Sequence, residues 1–240
     1  MRLGIIGCGA VAETLLKGLA AADAPLARLV CLARPQSLGR AEALLATYPP
    51  AAERRVVASI HELIRGELDL VVECAGQDAL QAFGATVLAA GIDLVPASIG
   101  ALADEQLHEA LRAAAAVSGA RLRLPAGAIG GLDLLGAARL AGIDRVTLVS
   151  RKPPEAWRGT RAETLVDLGS IASAVTFYRG SARDAARDYP KNANVAAAVA
   201  LAGAGFEATA VELVADPAAR GNSHEITLRS ACADLHLRID

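Results

Sequence analysis

The chain has 240 residues, 53% of them hydrophobic and 21% charged, and its 24 basic against 26 acidic side chains give a formal net charge of −2. These values exclude a disordered or fibrous chain. With no basic block and only one Trp, three Tyr and three Phe, they also argue against a base-stacking nucleic-acid surface and point to small-molecule ligands. Four cysteines, Cys8, Cys31, Cys74 and Cys232, form no C-x-x-C pair and no zinc-type spacing with histidine. They read as reduced, mostly packed thiols of a cytoplasmic protein that holds no metal. Residues 1–22 imitate a signal peptide, but Glu13, Lys17 and several glycines interrupt the apolar stretch. No uncharged run reaches the ~18–20 apolar residues of a membrane span.

Residues 3–6 form an apolar run ended by Gly7, and residues 11–22 follow with Leu15, Leu16 and Leu19 at helical spacing, which predicts strand, tight turn, helix. The same unit recurs as strand 29–32 with helix 37–47, strand 68–72 with helix 79–90, and strand 93–95 with helix 103–118, closed by a strand at 121–124. Strands apolar on both faces and alternating with helices imply a Rossmann-type, doubly wound parallel sheet, here a domain over residues 1–124. The texture then changes. A helix at 132–140, strands at 146–149 and 174–178, a helix at 194–204 and strands at 208–214, 225–229 and 234–239 predict an α+β second domain over residues 125–240. In the last strand Leu235, Leu237 and Ile239 alternate with His236, Arg238 and Asp240, as in a mostly antiparallel sheet with one wet face.

Between the first strand and the first helix, Gly7-Cys8-Gly9-Ala10-Val11-Ala12 reads G-x-G-x-x-A. Gly7 permits the tight turn, Gly9 lets the backbone approach a pyrophosphate, and Ala12 allows close helix–sheet packing, with Ala10 and Val11 opening the helix that faces the phosphates. The end of the second strand, Leu32-Ala33-Arg34-Pro35-Gln36-Ser37, lacks the acid that usually holds the ribose hydroxyls of NAD. Arg34, aided by Ser37, can instead pair with a 2′-phosphate, so NAD or NADP is the expected cofactor; stacking of Arg34 on adenine, or simple solvation, is the competing reading.

Lysine occurs only at 17, 152 and 191. Lys152 ends a strand, and Lys191 lies in Tyr189-Pro190-Lys191-Asn192-Ala193-Asn194, ahead of an Ala-rich helix for which Asn194 is an N-cap candidate. Such a cluster suits carboxylate binding, although solvated loop lysines are the commoner case. Of the histidines, His61 and His108 fall on surface helices and His236 on the wet face of the last strand. His224 lies in the polar turn Arg220-Gly221-Asn222-Ser223-His224-Glu225 leading into an apolar strand, the position from which a scaffold presents a side chain to a site. Imidazole there can take a proton near neutrality, against the alternative of an idle turn histidine.

At these residues the sequence resembles the L-aspartate dehydrogenase family, NAD(P)-dependent enzymes related to a route to quinolinate and hence to pyridine nucleotide biosynthesis. The resemblance spans essentially the whole chain. The fingerprint carries it together with Val72-Glu73-Cys74-Ala75-Gly76-Gln77, Ser98-Ile99-Gly100-Ala101-Leu102, Pro125-Ala126-Gly127-Ala128-Ile129-Gly130-Gly131-Leu132-Asp133, Tyr189-Pro190-Lys191-Asn192-Ala193-Asn194-Val195-Ala196 and Gly221-Asn222-Ser223-His224-Glu225-Ile226. It implies that Ala128 and Asn194 contact NAD and that His224 is catalytic. Two departures stand out: the missing acid after the second strand, and the end of the chain at Asp240, where relatives continue with an Asn-Pro-Lys-like segment and a helix.

The chemistry implied is oxidation of L-aspartate to iminoaspartate, which hydrolyses to oxaloacetate and ammonia. His224 is the expected base, and Lys191, Asn192 and Lys152 the expected holders of substrate carboxylates. An exposed apolar sheet face in the second domain implies a homodimer. Two rivals share the pattern. One is another two-domain NAD(P) reductase, against which residues 95–98 read Val-Pro-Ala-Ser in place of Glu-Lys-Pro; the other is a non-catalytic nucleotide-binding sensor.

Overall fold

Short apolar runs alternating with helices satisfy their backbone polar groups by pairing side by side, with helices covering the exposed faces. The computed structural model describes residues 1–47 and 51–240, except for the side chain of Lys191. The chain divides into two compact units, Met1–Pro125 and Ala126–Asp240.

The first unit runs β1 (Arg2–Ile6), α1 (Ala10–Ala21), β2 (Leu26–Leu32), α2 (Leu38–Thr47), β3 (Ala51–Val57), α3 (Ile60–Ile64), β4 (Leu70–Glu73), α4 (Gln77–Ala89), β5 (Asp93–Pro96) and α5 (Glu105–Ser118). Its strands form one parallel sheet in the order β3-β2-β1-β4-β5, as the doubly wound reading requires. Leu3, Ile5, Leu29, Cys31 and Val71 are buried in it, which matches a sheet covered on both faces. The strand order reverses between β1 and β4, so the carboxyl ends of these two strands flank a crevice, where ligands of such sheets bind.

Two elements of this unit lie outside the pattern read from sequence. β3 is an edge strand whose middle residues Ala52, Glu53, Arg54 and Arg55 are exposed, so its charges protect the edge and hide the strand signal. α3 has only five residues and is held by a capping box in which the Ser59 hydroxyl accepts from the Glu62 N–H while the Glu62 carboxylate accepts from the Ser59 N–H. The strand expected at 121–124 reduces to one bridge between Leu94 and Leu122, because the chain leaves the sheet at once after meeting β5.

The second unit contains α6 (Leu132–Ala141), β6 (Ile143–Lys152), β7 (Val175–Ser181), α7 (Ala182–Asp188), α8 (Asn194–Ala202), β8 (Thr209–Ala215), β9 (Ser223–Ser230) and β10 (Asp234–Ile239). Its sheet has the order β10-β9-β6-β8-β7; β6 and β8 are parallel and the other pairings antiparallel, in agreement with the mostly antiparallel sheet expected. Alternation places Val146, Leu148, Ser150 and Lys152 of β6 on one face, and Leu228, Ile226 and His224 of β9 stand directly opposite the first three. The methyls of Val146 also approach Gly203 at the end of α8, so this row faces the helices. The row is a core seam for its first two pairs and turns polar at its end.

Candidate active site

In the first unit the turn after β1 is fixed by backbone geometry. Gly7 has φ of +97°, a region that side chains disfavour, and a Cβ there would lie 2.8 Å from the Cβ of Ala75. Its N–H donates to the Leu32 carbonyl at 2.9 Å, which ties the turn to the end of β2. Gly9 is the N-cap of α1 with no side-chain cap, and a Cβ built on it would meet nothing within 4 Å. The first-turn N–H groups of α1 are thus open to an anion that approaches along the glycine.

These residues line a cavity of about 560 Å³ together with Leu32, Arg34, Ser37, Arg40, Cys74, Ala75, Asp78 and Phe83. Arg34 is exposed at the end of β2, the place where a ribose or its 2′-phosphate is recognised, and Arg40 adds a second cation to the same lining. A turn of small residues, an uncapped helix N-terminus and a cationic wall fit a dinucleotide with pyrophosphate and ribose. Ala10 and Val11, exposed at the start of α1, belong to the same turn.

Glu73 shapes this cavity without lining it. The carboxylate ends β4 with no exposure to solvent and accepts from the N–H groups of Ala75 (2.6 Å), Gly76 (2.7 Å) and Ser98 (3.1 Å) and from the Ser98 hydroxyl (3.3 Å). It thereby joins the turn before α4 to the turn after β5. An acid closing the otherwise apolar Leu70-Val71-Val72 is the signal for such a role, because a carboxylate buried there requires several donors.

In the second unit the end of the seam carries the chemistry. The Nδ1 of His224 lies 3.0 Å from the Ser150 hydroxyl, and the two residues are 6% and 4% exposed. Burial pushes the imidazole below its ordinary value, and the Lys152 ammonium pushes it further in the same direction. Lys152 is itself lowered by burial; its Nζ donates to Asn192 Oδ1 at 2.5 Å and lies 5.1 Å from the ring centroid of Trp157. Trp157, fully buried, donates through Nε1 to the Val214 carbonyl and packs edge-on against Phe177 and Tyr189, so the wall beneath the lysine is rigid. The Tyr189 carbonyl accepts from the Asn192 N–H at 2.8 Å and sets the turn that presents the amide. The arrangement offers a neutral imidazole beside a cation and an amide, which is the equipment for holding a carboxylate near a proton acceptor.

The second unit therefore brings His224, Lys152 and Asn192 together. His224 is not a turn residue as expected: it is the second residue of β9 and buried, because Ser223 and His224 pair with Arg151 and Ser150 at the end of β6. Asn194 is not an N-cap either. It is the first residue of α8 and exposed, and the cap position is Ala193. Ala128 is exposed ahead of α6. The backbone of Lys191 lies in a 3-10 turn, Pro190–Asn192, and its side chain is outside the described residues. Ser150 lies beyond the strand expected at 146–149; only the longer β6, counted by two from Val146, reaches it on the inward face. Among the described residues, no group of three or more His, Cys, Asp or Glu side chains is placed to hold a metal.

Comparison with known proteins agrees with both halves. Residues 133–240 match the family described as aspartate dehydrogenase, C-terminal, and residues 7–125 match the NAD binding domain of homoserine dehydrogenase. An L-aspartate dehydrogenase of Ruegeria pomeroyi is 47% identical over 193 residues, which cover 79% of this chain and 70% of that protein. L-aspartate dehydrogenase 1 of Bordetella pertussis is 41% identical over 239 residues, covering 100% of this chain and 86% of its own length. Among solved structures, aspartate dehydrogenase from Thermotoga maritima superposes with a TM-score of 0.78 at 25% identity, over 100% of this chain and 89% of that one. The WlbA dehydrogenase of Bordetella pertussis, at 14% identity and a TM-score of 0.55 over 99% of this chain and 79% of that one, shares the fold. With a cavity beside the glycine turn in the first unit and a buried histidine beside lysine and asparagine in the second, the chain belongs to the L-aspartate dehydrogenase family.

Proposed function

We propose that this protein is an NAD(P)-dependent L-aspartate dehydrogenase that oxidises L-aspartate to iminoaspartate, with oxaloacetate and ammonia as the products of hydrolysis. The observation that carries the reading is the buried His224 imidazole, held against Ser150, with burial first and Lys152 second both favouring its unprotonated form. Its family membership and the 41% identical L-aspartate dehydrogenase, matched over 86% of that protein's length, favour aspartate over other amino acids.

The first unit, through Gly7, Gly9, Ala10, Val11 and Arg34, is assigned to the dinucleotide, and Ala128 and Asn194 of the second are assigned to it by the family resemblance. When bound, the nicotinamide supplies the hydride acceptor. His224 takes the proton of the substrate ammonium, which frees the nitrogen lone pair that assists loss of hydride from Cα. Lys152, Asn192 and Lys191 hold the two carboxylates of the substrate. The Lys152 ammonium, already lowered by burial, is placed to gain from an anion that shares its desolvated surroundings. Fixing Cα in one orientation accounts for a large part of the rate.

The second unit is also assigned the contact of a homodimer through its sheet, where Leu235, Leu237 and Ile239 of the outer strand β10 remain half-buried. Among the described residues no helix is long and apolar enough to cross a membrane, and the proposed location is the cytoplasm.

Initial rates of NAD⁺ and NADP⁺ reduction with a panel of L-amino acids test the assignment. Turnover confined to L-aspartate and lowered by ~10²–10⁴ in His224→Ala is the expected result. Cofactor binding without turnover of any amino acid would instead favour the nucleotide sensor.

A further inference from the structure

We propose that Ser150 is the positioning residue that sets the tautomer of His224: its Oγ accepts the Nδ1–H proton and so leaves the lone pair on Nε2, the nitrogen that meets the substrate. The proposal rests on the reading of His224 as the base.

A neutral imidazole carries one N–H, and which nitrogen holds it is decided by the partner of the other. Nδ1 of His224 faces the Ser150 hydroxyl at 3.0 Å inside a buried pair. If the hydroxyl donated to Nδ1, the ring proton would sit on Nε2, and Nε2 could not accept a proton from an ammonium. With Nδ1–H as donor, Nε2 becomes the acceptor. Only the second arrangement is a base.

The backbone enforces the pairing. Ser150 and His224 are register partners across antiparallel β6 and β9, a relation that holds facing Cβ atoms about 4.5–5.5 Å apart. The next pair along the seam, Leu148 and Ile226, has no solvent exposure, so the imidazole is packed against a core that leaves little room for it to turn.

The choice of partner is also informative. A carboxylate on Nδ1 would orient the ring equally well but would stabilise imidazolium and raise its pKa. A hydroxyl orients without adding charge. Among the described residues the charged group acting on the ring is Lys152, two residues further along the same face of β6, and it opposes imidazolium. Ser150 and Lys152 therefore divide the work between them: the serine chooses the nitrogen, and the lysine keeps it empty.

Long-range ¹H–¹⁵N spectra of the histidine rings in the full-length, ligand-free protein above neutral pH read the tautomer directly, with His224→Asn identifying the signals. The expected result is Nδ1–H in the wild type and a shift toward Nε2–H in Ser150→Ala. That variant should lose about tenfold or more in kcat, less than the ~10²–10⁴ a general base supplies, with KM for the amino acid little changed. Ser150→Thr keeps the hydroxyl and should restore both the Nδ1–H signature and most of kcat, so the test remains readable if alanine loosens the strand pair. An Nε2–H tautomer in the wild type, or one that Ser150→Ala leaves unaltered, overturns the proposal. Full turnover in His224→Asn alongside a wild-type Nδ1–H signal would overturn it differently, through the base reading it rests on.

Discussion

The cavity proposed for the cofactor in the first unit and the polar end of the seam in the second are built in opposite ways. The first is made of backbone: the positive φ of Gly7, the open Cα of Gly9 and the N–H groups of one helix end, all within one strand–turn–helix. The second is made of side chains that only sheet register assembles. Ser150 and His224 are 74 residues apart in sequence, and Lys152 and Asn192 are 40 apart. A turn of the first kind is spelled in adjacent letters and, apart from the cationic wall of Arg34 and Arg40, tolerates changes that spare the backbone. A site of the second kind depends on each side chain and on the register beneath it.

The largest effect should fall in the second unit. His224→Ala removes the proposed base and should lower kcat by ~10²–10⁴, while dissociation constants for NADH and NADPH stay as in the wild type, since the ring is placed in the amino-acid chemistry alone. Loss of cofactor affinity comparable to the loss of turnover would break the division between the two sites. Next is Arg34→Ala in the first unit. A charge-assisted bond to phosphate contributes about 1.5–3 kcal/mol, so NADPH should bind ~10–100-fold more weakly, with NADH affected little. Equal losses for the two nucleotides would mean that Arg34 stacks on adenine.

The glycines sharpen the contrast within the first unit itself. In Gly7→Ala the new methyl meets Ala75 at 2.8 Å in a backbone conformation it disfavours, so the protein should lose roughly 1–3 kcal/mol of stability even without cofactor. Gly9→Ala has open space, and its cost in the free protein should stay below about 1 kcal/mol. Its penalty should appear instead as weaker nucleotide binding. Thermal melts with and without NADH separate the two variants.

The same distinction explains what could be read from the chain. The parallel sheet was legible because Leu29, Val30, Cys31 and Leu32 are buried as a continuous run, and the fingerprint followed it directly. β3 was not, because an edge strand pairs on one side and leaves Glu53, Arg54 and Arg55 in water. α7 escaped because its seven residues carry two arginines and two aspartates around three buried alanines, and its start depends on the Ser181 hydroxyl accepting from the Asp184 N–H. At the site, His224 was found through its sequence surroundings, whereas Ser150 needed the extent of β6. A strand ending at residue 149 leaves it out, and a strand ending at Lys152 puts it opposite the histidine. Glu73 belongs to one of the segments that carry the family resemblance, but its role lies in donors from the turn at Ser98, which local sequence does not bring to it.

The smallest predicted effect isolates the lysine's action on the imidazole. Two causes hold His224 below its ordinary value of ~6.5, burial first and the Lys152 ammonium second. Lys152→Met removes the charge and keeps an apolar stem beside Trp157, so only the second cause disappears. An NMR titration of His224 in the ligand-free protein should therefore move upward but stop short of 6.5. The sign carries over to stability. Because the folded value is depressed, the unfolded chain binds a proton at this residue before the native protein does, and stability falls as the pH drops from ~6.5 toward the folded value. In Lys152→Met the two values lie closer together, so that window narrows and the acid-side loss from this residue shrinks. A His224 titration unmoved by Lys152→Met would leave burial as the sole cause and would remove the lysine from the pairing that keeps the base neutral.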